Sequence, residues 1–498
     1  MGSVKDRTAT IPLSTLLNCL GATGALRWWE THGLHRLSGS SLLSGRRISH
    51  AFCRSRDSAT FIERPFVVVA SHTCLFGHSS GIIFSVSAWV GDRQQVCLQH
   101  ADRYFAGNQE REDVISMIKN YPLMNDYWED KRAKAHLITV PAYVLASMST
   151  GLHTVGSIRC YEDIPHEKKW CVLTDAYEVL LLTGLSRPRL RVNCTQEWHD
   201  LYQEDTIADL KKFLDFYMKG VNNGWEQTPK ARISILRYTR VSISSCPTSV
   251  NEVNVCKQPG IQNVPFESWP IPQTEQRKFW LSTNGKMETG RPSLKDAKVS
   301  YQSDVVALQK DDDSGFVEFS YTFTERTTLI GPCRAILHMS CPDHDDMDVF
   351  VIIRKADRSG NVLRNINIPL QDLVGVEREE DISITNTLQY VGPSGILRAS
   401  HRALDPKLSK PHWPAHDHTR EDKVRPSEVV QLEIGLWPAA IEFSAGERLV
   451  FRVAGHQMTL AEFDPLRGGF RAGNVGKHNV HFGGQYESYI TIPVVSMN

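Results

Sequence analysis

The chain has 498 residues, of which 41% are apolar and 22% charged, the balance of a soluble globular protein long enough for roughly two to four domains. Its 56 basic and 56 acidic side chains cancel, which removes any general electrostatic pull toward nucleic acid or an anionic membrane surface. The 11 cysteines are odd in number and scattered without a C-x-x-C pair, a pattern of reduced, buried thiols rather than of a disulfide framework or a zinc site.

Residues 1–103 are rich in Ser, Arg, His and Gly, and stretches such as "SGSSLLSGRRISH" carry neither helical nor strand periodicity. Apolar patches at 66–70 and 81–90 are the only core candidates there. The first residues lack a basic start followed by an apolar core, so no signal peptide is expected. Gly2 is followed by Asp6 where myristoylation favours Ser or Thr. No apolar run approaches the roughly 20 residues that span a bilayer. The expectation is a cytoplasmic protein without membrane or nucleic-acid partners.

Within this part, Gly77-His78-Ser79-Ser80-Gly81 spells G-x-S-x-G, the nucleophile elbow that exposes a reactive serine on a strand-to-helix turn. Its surroundings do not match the motif. Six residues separate the apolar "FVVVA" from Gly77, and the following "IIFSVSAWV" is β-branched like a strand rather than a helix.

Residues 104–240 read as α/β. "AHLITVPAYVLAS" (135–147) is an apolar run interrupted by Pro141, suited to a buried parallel strand, and "MSTGLHTVGS" then supplies a loop at its carboxyl end. "TIADLKKFLDFYMKG" (206–220) is an amphipathic helix with Ile207, Leu210, Phe213, Leu214 and Met218 on one stripe, stopped by Gly220. "ARISILRYT" (231–239) returns to strand alternation. Residues 241–264 form a linker.

Residues 265–498 are nearly all β. "GFVEFSYTFTE", "RAILHMSC", "DVFVIIRKAD", "EVVQLEIGLW", "RLVFRVAG" and "YESYITIPVV" are short alternating or β-branched segments separated by Gly, Pro and Asp. Many short strands with long connections predict a jelly-roll β-sandwich. The expected fold class is α/β plus all-β.

Several stretches together resemble one family. "YPLMNDYWEDKRAKAHLITVPAYVLAS" (121–147), "CTQEWHDLYQEDTIADLKKFLDFYMKGVNNGWEQTPKARISIL" (194–236), "SYTFTE", "DMDVFVIIRKAD", "GILRASHRALD" and "NVGKHNVHFGGQYESYITIPVV" (474–495) are similar to the CocE/NonD hydrolases that end in an X-Pro dipeptidyl-peptidase C-terminal domain. The resemblance spans about residues 104–498 and leaves the first hundred unmatched. It implies a partial α/β-hydrolase domain with a helical cap before the jelly roll. It also implies cleavage of a small acyl ester or peptide by a Ser, Asp and His set with no cofactor and no metal.

Carried over residue by residue, the family's acid falls on Thr150, which cannot stabilise an imidazolium as a carboxylate does. The histidine's place falls near Gln196 and Glu197, with His199 displaced by two or three residues. The expected catalytic pair is therefore Ser79 and His199, with the acid unassigned. His153, Thr150 and Trp198 are the candidate binding residues, His153 because it follows a strand's carboxyl end. A catalytically inactive member acting as a binding protein is the alternative.

Two segments, 171–189 and 241–263, separate stretches that adjoin in the family. With the unmatched first hundred residues, they suggest an aberrant gene model, genuine loop insertions being the other reading. "CPDHDDMD" (341–348) reads as a solvated turn and "PHWPAHDHTR" (411–420) as a mobile polar loop, each with a metal site as its rival. Trp128, Tyr127, Trp198, Tyr202, Phe213 and Phe216 fit equally an acyl pocket or ordinary packing.

Overall fold

A computed structural model describes residues 68–70, 114–138, 140–149, 154–165, 189–236, 238, 260–309, 314–462, 464, 467–469 and 471–497. The chain divides into two units, Met1–Val69 and Ala70–Asn498. A three-residue strand, Val68–Ala70, falls on the first apolar patch.

Three parallel strands, Ala142–Ser147, Arg189–Asn193 and Ala231–Leu236, lie side by side, with Ser147 opposite Asn193. All six residues of Ala142–Ser147 are buried, which explains its unbroken apolar pattern. The strand starts after Pro141, whose missing N–H could not join a ladder.

The helix Glu204–Lys219 ends where Gly220 adopts a left-handed φ of 67°, so its N–H turns back to the Asp215 and Phe216 carbonyls. Its apolar stripe is only partly covered: Phe213 is buried, whereas Ile207 and Met218 are exposed. Phe213, Tyr143 and Trp225 form an aromatic cluster with ring centroids 5.2–5.7 Å apart. Burying rings of this size stabilises the unit by roughly 2–3 kcal/mol each. Asp209 adds a polar tie, receiving the Tyr143 hydroxyl at 2.5 Å and the Arg232 guanidinium at 2.6 and 3.0 Å.

The expected loop after Ala142–Ser147 is in part a helix, Thr154–Asp163, with Gly156 inside it. Thr154 donates its hydroxyl to the Ser147 carbonyl at 2.5 Å, fixing where that helix begins. Tertiary packing overrides the weak local propensity here, since residues 154–161 are all buried.

Beyond Gly260 the regular elements among the described residues are strands and single 3-10 turns. Thr327–Ser340 pairs antiparallel with Val430–Phe443 on one side and with Tyr489–Val495 on the other. Tyr489–Val495 pairs with Glu275–Ser282, which leads through Lys286–Glu288 to Phe316–Thr322. Arg448–Ala454, Asp348–Ala356 and Ser394–Arg398 follow in that order. One parallel bridge, Ile441 to Leu236, joins the parallel strands to this β-rich part. A register shift at Pro332/Cys333 bends the longest ladder, where Pro332 cannot donate.

Between two of these strands an arm of residues 365–390 leaves the sheet. Asn365–Ile366 and Gln389–Tyr390 pair at its base, and single 3-10 turns form at Leu370–Asp372 and Glu379–Asp381.

The turn at 341–348 exposes Pro342, Asp343 and Asp345 as expected and leads into the strand at Asp348, whereas the 411–420 loop, expected to be mobile, is packed. Asp346 and Asp348 are buried, with Asp348 gripping Arg398 through bonds of 2.7 and 3.0 Å. His412 donates to the buried Glu162 at 2.9 Å, His416 to the Glu433 carbonyl at 2.9 Å, and His401 and His418 meet at 3.0 Å. Among the described residues no group of three His, Cys, Asp or Glu is placed to hold a metal ion. Periodicity cannot report such burial, because these side chains are held by partners from distant segments.

Candidate active site

The three parallel strands run side by side, and their carboxyl ends form the edge at which open α/β sheets hold ligands. Ser147 and Ser149 are fully buried there, with their hydroxyls 3.2 Å apart, and Met148 N–H donates to the Asn193 carbonyl at 2.9 Å. Asn193 is buried and accepts from Arg191 at 3.0 Å, so the Asn193-Cys194-Thr195 sequon is closed to glycan attachment in the folded chain. Burial, assisted by the Asp200 charge, pushes the Cys194 thiol up to about 12, far from thiolate chemistry at neutral pH.

After Asn193 the chain turns through Thr195 and Gln196 into the four-residue helix Glu197–Asp200, which carries His199. The imidazole is buried. Its Nδ1 lies 3.4 Å from Asp200 Oδ1, and its Nε2 lies 3.0 Å from both Asp372 Oδ2 and the Gln203 amide nitrogen. Burial alone lowers an imidazole pKa, but the Asp200 and Asp372 carboxylates outweigh it and raise His199 above its ordinary value of 6.5. Asp200 Oδ1 also accepts the Thr195 hydroxyl.

The arm of the β-rich part is bonded to these strand ends. Asn367 donates to the Ser149 carbonyl at 3.4 Å and to Asn386 at 2.9 Å, and its own carbonyl takes the Gln196 N–H at 3.2 Å. The Gln196 side-chain amide donates to the Thr387 carbonyl. These bonds fix both amides, leaving Gln196 Oε1, Asn367 Oδ1 and Asp200 Oδ2 as buried acceptors with no donor among the described residues.

Of the residues selected from sequence, His199 is the one whose surroundings are defined. Trp198 lies on the same short helix. Ser79, Thr150 and His153 fall outside the described residues. Asp200, Asp372 and Gln203 escaped the sequence reading. Asp200 was visible as the neighbour of His199 in "EWHDLY", whereas Asp372 comes from 173 residues away and only folding brings it near.

Of the six aromatics in question, Phe213 belongs to the packed cluster. Trp128 is buried and donates its indole N–H to the Tyr121 carbonyl at 2.7 Å, which is a packing role.

Residues 223–491, just over half the chain, match the family described as the X-Pro dipeptidyl-peptidase C-terminal non-catalytic domain. The chain belongs to this family. A solved CocE/NonD family hydrolase from Staphylococcus aureus is 26% identical, superposes with a TM-score of 0.63, and matches over 85% of this chain and 65% of its own. This chain thus spans a little under two thirds of that relative. An aminopeptidase from the marine sediment archaeon Thaumarchaeota archaeon (14% identity, TM-score 0.51, 84% of this chain and 64% of its own) is similar in fold. So is an α-amino acid ester hydrolase (13%, 0.50, 84% and 65%). No curated protein sequence matches the chain. Family membership and the CocE/NonD likeness agree with the resemblance carried by residues 104–498. Among the described residues no helix is long and apolar enough to cross a membrane.

Proposed function

We propose that this chain is a serine hydrolase of the CocE/NonD and X-Pro dipeptidyl-peptidase-like class, acting on small acyl esters or N-terminal dipeptides without a cofactor. Ser79 Oγ attacks the scissile carbonyl and His199 takes its proton. The alcohol or amine departs with that proton, and water then hydrolyses the acyl-serine. The observation that carries this reading is His199, a buried imidazole near the ends of parallel strands with a carboxylate at 3.0 Å. Gln196 Oε1, Asn367 Oδ1 and Asp200 Oδ2, acceptors without donors among the described residues, suit a substrate that brings donors, such as a free amino terminus. In this reading Thr150, His153 and Trp198 contact substrate. The β-rich part is a jelly roll following a partial α/β-hydrolase domain, with the boundaries drawn from sequence, in a cytoplasmic protein.

One observation favours the inactive, binding-protein alternative. Both His199 nitrogens face carboxylates, which favours the imidazolium, a form that accepts no proton. Turnover separates the two. The active reading predicts hydrolysis of p-nitrophenyl acyl esters or of an X-Pro p-nitroanilide, with rates falling roughly 10³–10⁴-fold in Ser79→Ala and in His199→Ala. Absence of turnover of both substrate types by folded protein supports the alternative.

A further inference from the structure

We propose that Asp372, carried by the β-rich part, is the positioning carboxylate of His199 and takes the place left open by Thr150. The inference rests on the hydrolase reading above. The segment Ser147–Ser149 that leads toward Thr150 carries no acid. Two carboxylates reach His199 instead, and they are not equivalent. Asp372 Oδ2 lies 3.0 Å from Nε2, a full hydrogen bond, whereas Asp200 Oδ1 lies 3.4 Å from Nδ1 and also receives the Thr195 hydroxyl. Gln203 stands as close to Nε2 as Asp372 does, but its amide can donate instead to the His199 carbonyl at 3.3 Å. Nε2–H therefore donates to Asp372, and Nδ1, whose contact with Asp200 is longer and shared with Thr195, is the nitrogen assigned to receive the serine proton.

Asp372 is exposed over 38% of its side chain, but the turn that carries it is tied to the strand ends. Its 3-10 turn, Leu370–Asp372, begins three residues after Asn367, which is bonded to both Ser149 and Gln196 at the strand ends. Gln196 is bonded a second time to the arm at Thr387. The arm is thus anchored at three points around His199, which places the acid from outside the parallel strands. Removal of the β-rich part's carboxylate then acts on chemistry, not merely on folding.

The test uses full-length Asp372→Asn and Asp372→Glu with two readouts, the pH dependence of kcat/KM on an ester substrate and the ¹⁵N NMR titration of the His199 ring. The groups facing this ring are Asp200, Asp372 and Gln203. A carboxylate partner stabilises the imidazolium, so Asp372→Asn is expected to move the acid limb of the profile and the NMR midpoint to lower pH. The same variant should lose the Nε2–H tautomer and reduce kcat roughly 10²–10⁴-fold, with part restored by Asp372→Glu. A limb that stays put while only its height changes, or a faster Asp372→Asn enzyme, overturns the assignment. If wild-type protein turns over no substrate, the hydrolase reading fails by itself. The NMR arm still decides whether Asp372 fixes the tautomer, and an unchanged midpoint and tautomer refute it.

Discussion

Glu162 and Lys410, 248 positions apart in the sequence, meet at 2.9 Å and hold the helix Thr154–Asp163 against the β-rich part. His412 donates to the other Glu162 oxygen at 2.9 Å, and the Trp269 indole N–H reaches that same oxygen at 2.9 Å. Burial works against the charge on Glu162, but the bonds from His412 and Lys410 prevail and hold its carboxyl below the usual range. Around this joint, the loop read from sequence as mobile becomes a structural element.

Glu162→Gln removes that charge while keeping the shape. Lys410 retains Asp163 at 2.8 Å, so the loss is partial, and about 2–3 kcal/mol of unfolding free energy is expected to go. Urea denaturation at pH 7 measures it. The wild-type contribution is present above the unfolded carboxylate pKa near 4.5 and is lost as pH falls through the lower folded value.

His416 and His418 predict a second pH effect of different origin. Burial lowers His416 to about 4 and, with neighbouring His401 and His416, lowers His418 to about 3. Both are neutral in the fold and equally neutral in the unfolded chain above pH 6.5, so they cost nothing there. Below 6.5 the unfolded chain binds protons that the fold does not, and stability falls by up to about 1.4 kcal/mol per pH unit for each histidine. His418→Gln should flatten the decline of urea midpoints between pH 6.5 and 4.5. An unchanged slope contradicts the burial argument.

How much of this was legible in sequence varies with range. The helix at 204–219 and its Gly220 stop were readable because periodicity and capping are local. The strands Asp348–Ala356 and Arg448–Ala454 were readable for the same reason. The helix Thr154–Asp163 was not, since its polar and glycine residues are buried by partners such as Trp413, over which Arg159 lies at 4.1 Å. His199 could be named but not judged, because Asp372 belongs to a turn in another part of the chain.

The aromatic cluster gives a direct packing test. Trp225 is fully buried against Tyr143 and Phe213. Trp225→Ala should cost about 3–5 kcal/mol, read from denaturant midpoints, with Ile207→Ala on the exposed stripe costing under about 1 kcal/mol.

Gly392 tests the backbone. It sits at φ 142°, and an added Cβ would run into the Ile353 carbonyl oxygen beside the start of Ser394–Arg398. Gly392→Ala should lower stability by about 2–3 kcal/mol, whereas Gly290→Ala, in open space, should change it little. Equal midpoints for the two variants contradict the geometry.

The central claim is an activated serine served by His199, and the measurement that reaches it first is labelling with a fluorophosphonate probe. Wild-type protein, Ser79→Ala and His199→Ala are compared at pH 8, with the adduct located by peptide mass spectrometry. One adduct is expected, on the peptide carrying Ser79, absent in Ser79→Ala and strongly slowed in His199→Ala. Folded wild-type protein that takes up no probe, or takes it up equally in all three, contradicts that claim.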